Sequence, residues 1–364
     1  VGGAEVAVKE ITDRIPVSDL EFDMVTLGDG RGKSEEQVGH VRVFRLFKDF
    51  GMMQKLLFPF AAARMADRLQ RERQYDAVWG IMASYAGYAA HLFKRAYRSV
   101  PFVLTIQEGD HFGRRQGLFK PLFKKIFASA DRIQAISNYL ANWSGQMGAR
   151  CPIDVLPNGV DFDHFAEPIS VDRRNELRAE LGFSAGDTVL VTASRLVYKN
   201  AVNDIISALT HLDPSYKLLI LGSGKDEAAL KEQAAKLKLE NKVVFKGFVE
   251  HSDLPVYLQA CDIFVRPSRS EGLGNSFLEA MAAGIPVIAT PVGGIPDFLT
   301  DGETGLMCEV DNPRSIAQKA GKLSRDRESR DYIVRNAREM VRRKYHWDGI
   351  AERMKEIFAS TELK

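Results

Sequence analysis

Short apolar runs, separated almost throughout by stretches of helical periodicity, constrain this chain more than any other feature. They are Phe22–Leu27, Val41–Leu46, Ala77–Met82, Phe102–Gln107, Arg132–Ser137 and Ile153–Leu156, then Val189–Ala193, Lys217–Leu221, Val243–Phe248, Ile263–Val265, Val287–Thr290 and Leu306–Cys308. They are bounded by turn residues and lack clean period-two alternation, the pattern of strands buried on both faces. Strands alternating with helices imply an α/β fold of parallel sheets covered by helices. With 364 residues, about two domains are expected. The boundary is expected within Pro157–Gly186, where the turn residues Pro157-Asn158-Gly159 precede the acidic stretch Asp161–Pro168. The expectation is two doubly wound Rossmann-like domains, 1–160 and 161–345, facing each other across a cleft. Ligands in such sheets bind at the carboxyl ends of the strands.

Composition excludes several alternatives. Apolar residues make up 45% and charged residues 27%, so the chain is a soluble globular type and not a disordered one. Net charge is 50 − 48 = +2, which gives no polyelectrolyte signal for nucleic acid. Residues 1–160 carry 22 Lys+Arg against 17 Asp+Glu, so this half is mildly basic and could face an anionic surface or substrate. Cys151, Cys261 and Cys308 are widely spaced and odd in number, pointing to a reducing, cytoplasmic setting. No apolar stretch is long enough to span a membrane, so no transmembrane helix is expected, and no signal peptide is expected either. The sequence opens at Val1 and enters Gly2-Gly3-Ala4-Glu5 directly. A first strand is therefore expected to be missing from the N-terminal sheet, leaving an edge exposed.

The most informative stretch is Arg266-Pro267-Ser268-Arg269-Ser270-Glu271-Gly272-Leu273-Gly274-Asn275-Ser276, followed by Phe277-Leu278-Glu279. A strand ending near Val265 leads through a glycine-rich loop into a helix from about Ser276. The amides of Gly272–Ser276 and the helix start could form an anion site. Glu271 and Glu279, eight residues apart, are suited to accept hydrogen bonds from sugar hydroxyls. Equally, Ser276-x-x-Glu279 reads as a capping box that needs no ligand. Arg195 and Lys199 follow the strand Val189–Ala193. Two cations there can neutralise a diphosphate, or lie on an ordinary solvated loop. Gly2-Gly3 before a helix is a phosphate-approach geometry and also a common helix start.

Taken together, these residues resemble the retaining GT-B glycosyltransferases of family four, the group 1 type. The resemblance runs through Gly2-Gly3-Ala4-Glu5, Ile136-Ser137, Leu156-Pro157-Asn158-Gly159-Val160-Asp161 and Ser194-Arg195-Leu196-x-x-x-Lys199. It continues through Glu271 to Glu279, Ala280-Met281-Ala282-x-Gly284-x-Pro286-Val287-Ile288, Gly293-Gly294-Ile295-Pro296 and Asp301-Gly302-x-x-Gly305-Leu306. His346-Trp347-Asp348 opens what resembles the family's C-terminal helix, 346–360, expected to pack back on the first domain. The resemblance implies a nucleoside-diphosphate-sugar donor, bound mainly by the C-terminal domain, and no further cofactor. Arg195 and Lys199 would hold the diphosphate. Glu279 would bind ribose hydroxyls, and Glu271 with Gly272, Leu273, Gly274, Asn275 and Ser276 the transferred sugar. The base would lie near Gly247, Phe248 and Val249, and Gly2 and Gly3 would approach the donor from the first domain. Arg195, Lys199 and Glu271 are the residues expected to carry catalysis. The product would be a surface polysaccharide or glycolipid.

One departure affects the acceptor side. Many relatives place a His-Asp pair after the fourth strand, whereas here Gln107-Glu108-Gly109-Asp110-His111 follows Ile106. Gln107 takes the histidine position, and Glu108, Asp110 and His111 are the candidates to replace its role. His111 also reads as a loop histidine with no catalytic role. Asp161-Phe162-Asp163 has the form of a metal-binding Asp-x-Asp but lies in a connection, so it is read as coincidental and no metal is expected. His111–Ala130 holds Arg114, Arg115, Lys120, Lys124 and Lys125 and no acid. It reads either as a basic amphipathic helix on an anionic membrane, which suits a lipid-linked acceptor, or as a helix covering the sheet with its lysines solvated. Phe44–Phe60 adds aromatic and basic residues to the first reading. Three rival functions remain: a dehydrogenase, which lacks its Gly-x-Gly-x-x-Gly, an inert sugar-nucleotide-binding protein, and a sugar-nucleotide epimerase on the same fold.

Overall fold

The computed structural model describes residues 3–28, 30, 33–47, 51–109 and 116–361. The chain divides into two units, one formed by residues 1–159 and 347–364 and the other by 160–346. Each is a Rossmann-like assembly of mainly parallel strands with helices between them.

The first unit contains α1 (Gly3–Arg14), β1 (Phe22–Leu27), β2 (Glu35–Val38), β3 (Val41–Leu46), α2 (Met52–Arg73), β4 (Val78–Ile81), α3 (Tyr85–Ala96), β5 (Phe102–Ile106), α4 (Gln116–Ser129), β6 (Arg132–Ala135), α5 (Asn138–Gln146) and β7 (Ile153–Val155). Among the described residues its strands form two sheets, β1-β3-β2 and β4-β5-β6-β7. This differs from the single doubly wound sheet expected. β1 and β4 share no ladder among the described residues; they meet through the rings of Phe22 and Trp79, whose centroids lie 6.2 Å apart. β5 is buried at every position, as an apolar run in a parallel sheet should be. β2 was not expected: its sequence, Glu-Glu-Gln-Val, is polar, and it forms by antiparallel pairing with β3 across a tight turn.

The second unit opens with α6 (Phe162–Ala166) and α7 (Val171–Glu180). It continues through β8 (Thr188–Ala193), α8 (Val202–Ala208), β9 (Tyr216–Leu221), α9 (Glu227–Lys236), β10 (Val243–Gly247), α10 (Leu254–Gln259), β11 (Ile263–Arg266), α11 (Asn275–Ala282), β12 (Val287–Ala289), β13 (Leu306–Met307), α12 (Pro313–Arg325) and α13 (Arg327–Lys344). Its six strands pair in the order β10-β9-β8-β11-β12-β13, all parallel. The chain winds outward from β8 to β10, then crosses to the other side of β8 to lay down β11. The order therefore reverses between β8 and β11, and the loops leaving these two strands diverge. That crevice is where doubly wound sheets bind ligands.

Aliphatic side chains from β8, β9 and β11 pack against α8, α9 and α12 in one core that includes Leu190, Ile205, Leu218, Ile220, Val265 and Ile316. In the first unit, Ala7 and Ile11 of α1, with Ile15 just beyond it, pack against Trp347, Ile350, Met354 and Phe358 of α14 (Trp347–Thr361). The final helix thus completes the core of the unit in which the chain begins. On α4, Ile126 and Phe127 are buried while Lys120, Lys124 and Lys125 are exposed. Leu122 and Phe123 lie half-buried, so one face of this stretch packs inward while its lysines are exposed. No described helix is long and apolar enough to cross a membrane.

Candidate functional site

Two loops of the second unit flank the crevice between β8 and β11. The first, after β8, carries Arg195 and Lys199. Asn200, 4% exposed, donates from Nδ2 to the Arg195 carbonyl at 2.7 Å and closes the loop on itself. The second follows β11 and is tied to the first by Arg269. The Arg269 amide donates to the Lys199 carbonyl at 2.7 Å, and its guanidinium donates to the Tyr198 carbonyl at 2.7 Å. The same side chain pairs with Asp204 at 3.0 Å and Asp311 at 2.6 Å, and lies 4.3 Å over the Tyr198 ring. Burial pushes the Asp204 carboxyl up, against the pull of Arg269.

This stapling brings Lys199 to Glu271, with Nζ 3.9 Å from Oε1. Glu271 is 8% exposed, and its Oε1 also accepts the amide of Gly272 at 3.2 Å. Its main chain is held from the other side by the turn at Val292–Gly294. A Cβ on Gly293, which has φ +57°, would lie 1.8 Å from the Glu271 carbonyl oxygen, so only glycine fits. Arg195 extends into solvent at the end of β8. Glu279 pairs with His251 at 3.1 Å, joining the loop after β10 to α11. That loop starts at Gly247 and carries Phe248, 65% exposed, and the half-buried Val249.

The capping box does not form. α11 starts at Asn275, and its N-cap is Gly274 at φ +94°, with no side-chain cap. Ser276 lies inside the helix, where its hydroxyl accepts from Arg266 at 2.6 Å. Glu279 turns instead to His251. Leu273 is 1% exposed and belongs to the core, so only its backbone can serve a ligand. The amides of Gly272–Ser276 cluster at the start of α11 beside Glu271. Arg266 and Arg269, which hold these loops, were not singled out in the sequence. The available signal was an arginine as the last residue of an otherwise apolar strand, immediately before a proline.

In the first unit, Gln107 and Glu108 follow β5. Gln107 Oε1 accepts from the amide of the buried Asn158 at 3.1 Å. Glu108 is 3% exposed and accepts from the backbone amides of Ala83 at 2.5 Å and Gln107 at 3.0 Å. Burial raises its carboxyl to about 7, with the amides opposing the shift. Gly3 is the first residue of α1. Gly2, Asp110 and His111 lie outside the described residues. Asp161 of the Asp-x-Asp caps α6, accepting the His164 amide at 3.2 Å. Among the described residues, no cluster of three or more His, Cys, Asp or Glu side chains could hold a metal ion. The buried Cys261 and Cys308 thiols are pushed up by burial, Cys308 to about 12, so neither is a nucleophile.

Residues 173–340 match the family described as Glycosyl transferases group 1, and residues 1–164 match Glycosyltransferase Family 4. The chain belongs to this glycosyltransferase family. A Corynebacterium glutamicum relative, a GDP-mannose-dependent monoacylated alpha-(1-6)-phosphatidylinositol monomannoside mannosyltransferase, is 31% identical over 83% of this chain and 81% of its own. A GDP-mannose-dependent mannosyltransferase of Mycolicibacterium smegmatis is 30% identical over 74% of this chain and 72% of its own. Among solved structures, sucrose-phosphate synthase from Thermosynechococcus elongatus superposes with a TM-score of 0.86 at 20% identity, covering 99% of this glycosyltransferase and 94% of that chain. Anabaena HepE in complex with UDP and glucose does so with a TM-score of 0.81 at 23% identity, covering 99% and 96%. These likenesses establish the GT-B fold for the glycosyltransferase described here.

Proposed function

We propose that this glycosyltransferase moves a sugar from a nucleoside-diphosphate-sugar to an acceptor hydroxyl with retention of configuration, in the synthesis of a glycolipid or cell-surface polysaccharide. The observation that carries the reading is the approach of Lys199 to Glu271 at 3.9 Å, from two loops that diverge at the reversal of strand order. Lys199, Arg195 and the amides at the start of α11 offset the charge that grows on the leaving diphosphate. Glu271 accepts hydrogen bonds from the transferred sugar, Glu279 from the ribose, and the backbone around Gly247 meets the base. The bond from the anomeric carbon to the diphosphate oxygen breaks, and that phosphate accepts the acceptor's proton. Those cations and amides do the work of a metal ion, so turnover persists in EDTA. UDP and GDP are the first donors to test, since relatives are named for GDP-mannose and HepE is solved with UDP.

A lipid-linked acceptor at an anionic membrane is the reading for the acceptor side. It is supported by the names of the mannosyltransferase relatives and by the first unit's surface. Met52, Met53, Leu56, Leu57 and Phe60 form an exposed apolar stripe on α2, each more than half exposed. The exposed Lys120, Lys124 and Lys125 of α4 lie on the same unit. The test is donor turnover with a panel of UDP- and GDP-hexoses and phosphoinositide acceptors, the product's anomeric configuration being read by NMR. Nucleotide release with an α-linked product from an α-linked donor supports the proposal. An inverted product, or strict dependence on Mg²⁺, contradicts it. Failure to float with anionic liposomes removes the membrane contact alone.

A further inference from the structure

Arg266 is the last residue of β11 and is 6% exposed, yet its guanidinium contacts three parts of the loop that follows. Nε donates to Ser268 Oγ at 3.2 Å, Nη1 to Ser276 Oγ at 2.6 Å, and Nη2 to the Glu271 carboxylate at Oε2. The guanidinium lies 4.3 Å over the ring of Phe277. One planar cation therefore spans the loop's first turn, its glutamate and the second residue of α11. The loop is wrapped closely around it: a Cβ on Gly274 would lie 3.0 Å from Nη2 and 2.6 Å from the Phe277 ring. Three acceptors in different directions suit the rigid fork of arginine and not the single point of a lysine.

Glu271 is held from both sides. Oε2 is bound by Arg266, while Oε1 faces the Gly272 amide and Lys199. Stripped of its buried counter-ion, this carboxylate would have to swing toward Lys199 or toward water. Either movement takes it away from its place beside the α11 amides. Ser276 would at the same time lose the bond that fixes the first turn of the helix.

We infer that Arg266 is a positioning residue for sugar transfer: by gripping Glu271 and Ser276 from beneath, it sets the sugar subsite without touching the donor. The inference rests on the assignment of Glu271 to the transferred sugar. It requires that Arg266 matter more to the sugar than to the nucleoside diphosphate, whose main grip is Arg195 and Lys199. A role confined to stability would weaken both alike.

The test uses the whole protein and the variants Arg266→Gln and Arg266→Lys, with Arg266→Met/Glu271→Met as a charge-free pair in case the single variants fold poorly. Titration calorimetry measures affinity for UDP, GDP and ADP, and for their hexose esters. Arg266→Gln should bind the diphosphate within about threefold of wild type and its hexose ester roughly 10- to 100-fold more weakly, the range of a lost charged hydrogen bond. Arg266→Lys should recover part of that loss. The double variant should keep the diphosphate and lose the preference for the ester. Unchanged ester affinity in Arg266→Gln overturns the inference, as does an equal loss of diphosphate and ester. A wild-type protein that binds diphosphates but gains nothing from the hexose overturns it through the Glu271 assignment. Wild-type protein that binds no nucleotide overturns the proposed function as well.

Discussion

Two buried glutamates stand at the carboxyl ends of parallel strands in this molecule, and they are held in opposite ways. Glu271, after β11, has the guanidinium of Arg266 on one oxygen and Lys199 near the other. Glu108, after β5, accepts from the backbone amides of Ala83 and Gln107, and burial lifts its carboxyl to about 7. A carboxylate between two cations can accept hydrogen bonds from a ligand and hold its place as charge moves beside it. A carboxylic group poised near neutrality and bound by amides can exchange a proton. The two sites therefore differ in their partners: side-chain cations at the end of β11, backbone amides after β5.

The contrast is broken most severely by Glu271→Leu. Removing one partner of a buried ion pair strands Arg266, and chemical denaturation should show a loss of about 3–5 kcal/mol. A loss below about 1 kcal/mol would mean that the pair carries no such weight. Next in size, Lys199→Ala or Arg195→Ala should lower kcat about 10²–10³-fold with the fold intact by circular dichroism. Activity within threefold of wild type in both would remove the diphosphate clamp.

Glu108→Gln sharpens the other side. Between the unfolded-state value near ~4.3 and the folded value of about 7, the folded chain holds a proton that the unfolded chain has released. Stability therefore falls as pH rises through this window. Thermal melts from pH 5 to pH 8 should show the wild type losing about 2–5 °C relative to the variant. Parallel curves would mean that Glu108 does not titrate there. The smallest effect is expected at Phe248, whose side chain is 65% exposed. If the base is held by backbone groups, Phe248→Ala should weaken nucleotide binding less than about threefold in calorimetry; a loss above tenfold would place the ring against the base.

Every apolar run read from the sequence became a strand; the fully buried β5 and β11 are mostly apolar on both faces because both are covered. β2 escaped notice because its pairing with β3, not burial, makes it a strand. α6 and α7 lie in a stretch whose acidity suggests a linker, and their start signals are the single caps Asp161 and Ser170. At the site, Arg195, Lys199, Glu271 and Glu279 were legible through motif order, but their roles came from a family resemblance and not from spacing. The meeting of Lys199 with Glu271 depends on strand order, which no local pattern encodes. Ser276-x-x-Glu279 misled for a physical reason: the left-handed Gly274 starts the helix one residue earlier, and Arg266 and His251 claim the two polar side chains. Arg266 itself was hidden because an arginine beside a proline reads as surface, whereas here the loop folds around it.

On the proposed function, the crevice between β8 and β11 grips a nucleoside diphosphate through Arg195 and Lys199. The most direct measurement is the shift in melting temperature on adding millimolar UDP, GDP or ADP to wild type, Arg195→Ala and Lys199→Ala. A ligand that binds only the folded state stabilises it by about 2.7 kcal/mol at a hundred times its Kd. At least one nucleotide should raise the wild-type melting temperature by several degrees and leave both variants nearly unmoved. The same rise in all three proteins, or none in the wild type, would contradict the account.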